Sequence, residues 1–152
     1  MAVIRDYFIT EVDRKKETIY CVHDAIGEKD IPFHEHLKGQ FLYTEGGVVY
    51  VTTTDKTYFL PARHYMWIPS GVRHSIHPNS ADVIMRNLYF PNEVGESSFF
   101  QKTAIYPITE LLLQMVLFCN RYEGHLDKHD KVGFRLSLAM KSILPHLSHY
   151  QL

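Results

Sequence analysis

The feature that most constrains the fold is a succession of short β-type runs, each closed by a turn signal. "TIYCVH", "QFLYTEG", "VVYVTTTD", "KTYFLPA", "HYMWIPSGV", "RHSIHP" and "DVIMRNLYFP" follow one another before Pro107. Many short strands at this spacing predict a sandwich or a small barrel. Gly46-Gly47 is expected to join two of them in a tight turn, and Asp55-Lys56 two more. The 152 residues suffice for one domain with a real core and fall short of two ordinary ones.

After Pro107 the pattern turns helical. "ITELLLQMVLFCNRY" opens with Thr109 as an expected N-cap and Glu110 in the first turn. It is apolar nearly all round from Leu111 to Cys119, so it must be covered on more than one side. After the "EGHLDKHD" loop, "KVGFRLSLAMKSILPHL" shows one stripe of Val132, Leu136, Ala139, Met140, Ile143 and Leu147, and a second of Phe134 and Leu138. Two stripes need two partners. The barrel can supply one and a second copy of the chain the other. The same stripes would serve a monomer whose helices cap an open barrel end. We expect a homodimer built on Leu113, Leu117, Phe134 and Leu138.

Composition excludes several classes. Sixteen basic residues stand against seventeen acidic ones, so no basic surplus marks this chain as a phosphate-backbone binder. The start "MAVIRDYFITEVDRKKE" lacks the apolar core of a signal peptide. No apolar run reaches the ~18 residues of a membrane span. A cytoplasmic location with no membrane partner is expected. Cys21 and Cys119 lie far apart in apolar surroundings, as buried reduced thiols do. Met66 and Met85 are expected to fill the core. The "DRKKE" stretch is expected to be a solvated turn, and His23, His64, His77, His125, His129, His146 and His149 surface or loop residues.

The chemistry-bearing stretch is "IPFHEHLKGQFLYTEGG". In a strand, residues i and i+2 share a face, so His34 and His36 are expected to project together, with Glu35 turned away. Gln40 joins them if the strand stays regular. A second cluster, "IPSGVRHSIHPN", brings His74 into the next strand. Three imidazoles and one amide oxygen, from His34, His36, His74 and Gln40, could surround a divalent cation. Imidazole suits Zn, Ni, Fe or Cu, and the amide is a weak neutral fourth ligand. The same residues equally suit a pocket without metal. Tyr43, Tyr50, Tyr65 and Trp67 could line an aromatic effector pocket or simply pack.

These residues carry a family resemblance. Gly27, His34-Glu35-His36, Gln40 and Gly47 are spaced as in the first cupin motif, which normally has a glutamate where Gln40 stands. Pro69 to His74 matches the second motif, with Asn79 one residue late and Arg63 where a glycine is usual. From about Tyr7 to Phe90 the chain thus resembles a cupin barrel. More narrowly, His34 to Phe41, the "WIPSGVRH" segment, the Leu88 to Phe90 strand and "YPITELLLQMV" resemble the N-terminal sensor domain of AraC-type transcription regulators. The resemblance implies a mainly β fold, a cupin-type double-stranded β-helix (jelly-roll barrel) followed by two C-terminal helices. It places a sensor barrel at 1–106 and a helical hairpin within the same domain at 107–152. It implies a small-molecule effector bound by His34, His36, Gln40, Tyr43, Trp67 and His74, with or without a divalent metal such as Zn, Ni or Fe. DNA contact would come only through a C-terminal helix-turn-helix domain, of which no pattern is left over here. The chain stops at "HLSHYQL", where the linker to that domain would begin, so it is expected to be the sensor half of a longer protein. The competing class is a small metal-dependent cupin enzyme, an isomerase or dioxygenase. Against it stand Gln40 and the absence of an obvious extra acid or base.

Overall fold

Alternation along the strands sets the architecture. In the central strand, Gln40, Leu42 and Thr44 turn to one face and Phe41 and Tyr43 to the other, and all five are buried. A strand buried on both faces must be sandwiched between two layers. In the computed structural model those layers are a second sheet and a pair of helices. The structure describes residues 9–24, 30–148 and 152; Tyr7, Gly27 and His149 fall outside these.

The strands are β1 (Ile19–Asp24), β2 (Ile31–His34), β3 (Gly39–Glu45), β4 (Val49–Thr53), β5 (Thr57–Leu60), β6 (His64–Ile68), β7 (His74–Pro78), β8 (Ile84–Phe90), β9 (Ala104–Pro107) and β10 (Gly124–Leu126). The helices are α1 (Glu110–Phe118) and α2 (Lys131–Leu147). One sheet runs β10-β1-β8-β3-β6-β9 and the other β2-β7-β4-β5, with every recorded pairing antiparallel. The inner orders, β1-β8-β3-β6 and β2-β7-β4-β5, are those of a jelly roll, the cupin-type double-stranded β-helix. Among the described residues, no helix is long and apolar enough to cross a membrane.

Two cores follow from the alternation. Between the sheets lie Leu42, Val49, Val51, Met66, Ile68, Ile76 and Met85, so both methionines fill the core as expected. On the opposite face of the larger sheet, Phe41, Tyr43, Tyr65, Trp67 and Leu88 pack against Leu112, Leu113, Val116, Met140 and Leu144 of the helices. Trp67 donates from Nε1 to the Phe100 carbonyl at 3.1 Å. Its indole approaches the backbone at Gly39 more closely than a side chain would allow, since a Cβ there would stand 2.4 Å from Trp67 Cζ2.

Several expectations need correction. Gly46-Gly47 does not close a hairpin: β3 and β4 belong to different sheets, and Gly46, at φ 81°, turns the chain between them. Asp55-Lys56 does close one, between β4 and β5. Strand β9 was not legible as a strand, and β10 lies within the segment read as a plain loop; β10 pairs with β1. Thr109 caps α1 as expected, its side chain accepting from the Leu112 N–H at 3.3 Å.

The buried face of α2 is Gly133, Ser137, Met140, Lys141 and Leu144, rotated from the stripe read in the sequence. Val132 and Ala139 are exposed. Small residues decide this: a Cβ at Gly133 would meet the Tyr122 ring at 2.5 Å, and Ser137 Oγ sits 3.6 Å from Cys119 Sγ. Cys21 and Cys119 are both free and buried. Burial pushes the Cys21 thiol up to about 12.

Candidate metal and effector site

The chain does not carry His34 and His36 on one regular strand. His34 closes β2, while His36 lies in the connection that crosses to β3, where Gln40 sits. The connection spends its backbone groups on neighbours instead of a ladder. Asp13 accepts from the Leu37 N–H at 2.6 Å and the Lys38 N–H at 3.2 Å, and the Gly71 N–H donates to the His36 carbonyl at 2.9 Å. The histidines nevertheless converge. His34 and His74 are partners in the β2–β7 register, with ring centroids 4.4 Å apart. The His36 ring lies 5.5 Å from His34 and 5.2 Å from His74. One ring nitrogen from each comes within 4.8 Å of the others, and all three side chains are buried.

Each imidazole is oriented in the same way. Nδ1 faces a backbone carbonyl: Pro32 for His34 at 2.8 Å, Lys38 for His36 at 2.6 Å and Val72 for His74 at 2.7 Å. A carbonyl only accepts, so Nδ1 carries the proton and Nε2 keeps its lone pair. Burial lowers the pKa of all three rings. For His74, burial and then the neighbouring His34 bring it to about 3. The cluster at neutral pH is therefore three uncharged imidazoles.

His74 Nε2 is buried and has no hydrogen-bond partner among the described residues. His36 Nε2 faces Gln40 Oε1 at 3.2 Å, while the Gln40 amide N–H donates to Asn87 Oδ1 at 2.7 Å. Two acceptors thus face each other beside an orphaned third. A divalent cation of borderline softness would satisfy all of them, so the residues fit Zn, Ni or Fe, held by His34, His36, His74 and Gln40. Carbonyl-anchored Nδ1 protons are the support that orients such ligands. The set contains no anion, so the ion's charge would be left uncompensated, which weakens binding relative to a carboxylate-bearing site.

Tyr43 and Trp67 do not join this cluster. Both lie in the helix-facing core, on the other side of the larger sheet. Their positions follow from alternation, Tyr43 standing an odd number of residues from Gln40. Tyr65 packs there too, and Tyr50 is on the outer surface against Phe59. The residues that do join are Asn87 and Tyr89. Asn87 holds Gln40, and the Tyr89 ring meets His36 edge-on at 5.1 Å. Asparagine inside the apolar run "DVIMRNLYFP" was the available signal. Burial raises the Tyr89 phenol well above its usual value.

Leu113 is buried in the intrachain core, Phe134 and Leu138 pack partly against it, and Leu117 is exposed. His23 and His125 are not surface residues. His23 has both ring nitrogens buried, and His125 meets Thr18 through Nδ1 and lies 3.5 Å from Glu11.

A jelly-roll barrel with a buried histidine cluster at one end and a helical pair on its outer face defines a cupin-type ligand-binding domain. The AraC-like ligand binding domain family matches residues 19–112, more than half of the chain, and the chain belongs to that family. It is 34% identical over 67 residues to the HTH-type transcriptional regulator NimR of Escherichia coli (strain K12), a match covering 43% of this chain and 24% of the regulator. Unsaturated fatty acid-bound wild-type ToxT from Vibrio cholerae strain SCE256 superposes with a TM-score of 0.51 at 8% identity, over 84% of this chain and 52% of ToxT. An apo ToxT variant gives 0.53 at 11% identity, over 91% and 60%. At such identity the likeness to ToxT is one of fold. The chain spans about a quarter of the regulator's length and about half of ToxT.

Proposed function

We propose that this domain senses a small effector for an AraC-type transcription regulator and works in the cytoplasm as a homodimer. The barrel, residues 1–106, is the sensor, and 107–152 is the helical hairpin that carries its output. DNA contact belongs to a helix-turn-helix domain outside this chain. The observation that carries the reading is the cluster of three neutral, carbonyl-anchored histidines with Gln40, within a domain of this family. The cluster would hold a divalent metal, or effector groups directly. The dimer would use the exposed side of the helices, with Leu117, Phe134 and Leu138; Leu113 is committed to the chain's own core.

The groups packed against the cluster support a sensor over a metal-dependent isomerase or dioxygenase. Among the described residues, those whose side chains are in direct contact with the histidine rings or hold Gln40 are Gln40, Asn87 and Tyr89, none of them a carboxylate or an amine that could pair as acid and base. A ligand that binds one arrangement of the barrel and helices better than another shifts their populations, and thereby the spacing of attached DNA-binding domains. The test is calorimetric titration of chelator-stripped protein with Zn, Ni and Fe(II), alongside sedimentation with and without metal. A saturable heat, lost in His36→Ala and His74→Ala, and a dimer disrupted by Leu117→Glu are expected. A native monomer under all conditions would sink the dimer, and stoichiometric iron with catalytic turnover would sink the sensor.

A further inference from the structure

Asn87 shares the inner face of β8 with Met85 and Tyr89 and is only 3% exposed. Its register partners are Val22 on β1 and Leu42 on β3, both apolar. An amide buried there costs stability unless hydrogen bonds answer it. β3 and β8 pair with Gln40 opposite Tyr89 and Leu42 opposite Asn87, so Asn87 is the diagonal neighbour of Gln40 on the same face. Asn87 Oδ1 accepts from Gln40 Nε2 at 2.7 Å.

This hydrogen bond decides which end of Gln40 meets the histidines. A primary amide carries a donor nitrogen and an acceptor oxygen on one carbon. With Nε2 turned to Asn87, Oε1 turns the other way and lies 3.2 Å from His36 Nε2. His36 Nε2 is itself an acceptor, because Nδ1 donates to the Lys38 carbonyl. Without a cation, Gln40 would be better placed the other way round, with its N–H on His36 Nε2. That turn sets Gln40 Oε1 against Asn87 Oδ1, so Asn87 must turn as well. The two amides therefore have two consistent arrangements. In one, an oxygen faces the cluster and can ligate a cation. In the other, an N–H group faces it and repels one. The structure holds the first.

We infer that Asn87 is a positioning residue for the metal site: it holds the Gln40 amide with its oxygen toward the histidines and thereby sets the affinity for a divalent cation. The inference rests on the reading of the cluster as a metal site and assigns the residue that tunes it. Asn87 acts through Gln40 and is not itself a ligand. Metal loading favours the first arrangement, so it also fixes the Asn87 side chain on β8.

The experiment is calorimetric titration of chelator-stripped protein with zinc. It compares the wild type with Asn87→Leu, Asn87→Asp, Gln40→Glu and the double variant Gln40→Glu/Asn87→Leu. Asn87→Leu keeps the size and suits its apolar partners Val22 and Leu42, but it removes the acceptor. Zinc affinity should fall about tenfold to a hundredfold, the range for losing the support behind a metal ligand. Asn87→Asp, whose carboxylate only accepts, should bind zinc at least as tightly as the wild type. Gln40→Glu presents oxygen at both ends and needs no selection, so adding Asn87→Leu to it should leave zinc affinity nearly unchanged. That contrast separates orientation from folding, because a merely structural Asn87 would weaken zinc binding in both backgrounds alike. Equal losses in the two backgrounds, unchanged affinity in Asn87→Leu, or a loss in Asn87→Asp as large as in Asn87→Leu would each overturn the inference. Where Asn87→Leu does not fold, Asn87→Asp decides: affinity held or raised supports the inference, and affinity lost overturns it. Zinc bound equally by the wild type and every Asn87 variant removes this inference and leaves the metal reading standing. No saturable heat from either the wild type or Gln40→Glu removes both.

Discussion

Helix α2 is held on the barrel by a buried ion pair, and removing one half of it should be severe. Lys141 and Glu96 pair with side chains only 7% and 5% exposed. Lys141 Nζ also donates to the Pro91 carbonyl at 3.2 Å and lies 5.1 Å from the Phe100 ring centroid. Lys141→Met preserves most of the volume but strands the Glu96 carboxylate in a site with little water. Breaking a buried pair from one side costs about 3–5 kcal/mol. For a chain of this size each kcal/mol moves Tm by about 2–4 °C, so a fall on the order of 10 °C is expected. The double variant Lys141→Met/Glu96→Leu removes both charges and should recover most of the loss, because the desolvation penalty disappears with the attraction. Urea denaturation of the wild type, both single variants and the double variant closes the cycle. A single-variant cost below about 1 kcal/mol would mean that the pair behaves as a solvated surface bridge. A double variant as unstable as Lys141→Met would place the loss in packing against Phe90 and Phe100. Either result refutes the electrostatic argument.

Other positions give sharper tests of particular contacts. Burial, then the charge of Arg86, holds His23 at about 4, against 6.5 for a free imidazole. The unfolded chain therefore takes up a proton below pH 6.5 that the folded chain refuses until about pH 4. The contribution is complete above 6.5 and is lost as pH falls through that window, by up to about 1.4 kcal/mol per unit. Urea midpoints of His23→Gln should show a correspondingly shallower pH profile there than the wild type. Arg63 adopts φ 64°, a left-handed conformation that costs a side-chain-bearing residue about 1–2 kcal/mol. Arg63→Gly should stabilise the protein by up to about 1 kcal/mol, after glycine's extra unfolded-state entropy, and an unchanged Tm would argue against strain. Gly39→Ala drives a methyl into the Trp67 ring and should cost about 1–3 kcal/mol, with a change in tryptophan fluorescence marking the displaced indole.

Much of the barrel was legible because strand patterns are local. β1 and β4 to β8 are each written as an apolar or alternating run ended by a turn residue, and Thr109 announces its helix. Arg63 was legible as well: it stands where the cupin pattern has glycine, and the structure bends the backbone there as glycine would. What could not be read are features set by contacts distant in sequence. β9 and β10 are short strands that exist by pairing with β6 and β1 at the two edges of one sheet. The buried face of α2 is decided by Tyr122, Cys119 and Glu96, none of them on the helix. An amphipathic stripe weighs hydrophobicity and is blind to a glycine that lets a ring approach or a lysine that finds a buried carboxylate.

The histidine cluster shows how a right grouping can rest on a wrong geometry. Strand periodicity put His34, His36 and Gln40 on one face, but a regular strand through all three does not form. His34 ends in one sheet and Gln40 lies in the other, so the chain must cross the sandwich between them. His36 sits in that crossing, held by the Gly71 amide on its carbonyl and the Lys38 carbonyl on its ring. The same period of two, applied strictly along β3, separates Tyr43 from Gln40 and along β6 sends Trp67 with it to the helix side. The larger sheet is thereby a wall with two uses. Its inner face carries Gln40, Asn87 and Tyr89 beside the histidines, and its outer face carries the aromatic layer on which α1 and α2 rest. A shift of β3 or β8 caused by a ligand inside the barrel must move Phe41, Tyr43 and Leu88 on the other side, since rigid strands carry both faces together. That is the physical route by which a binding event that makes no product could reach the helices.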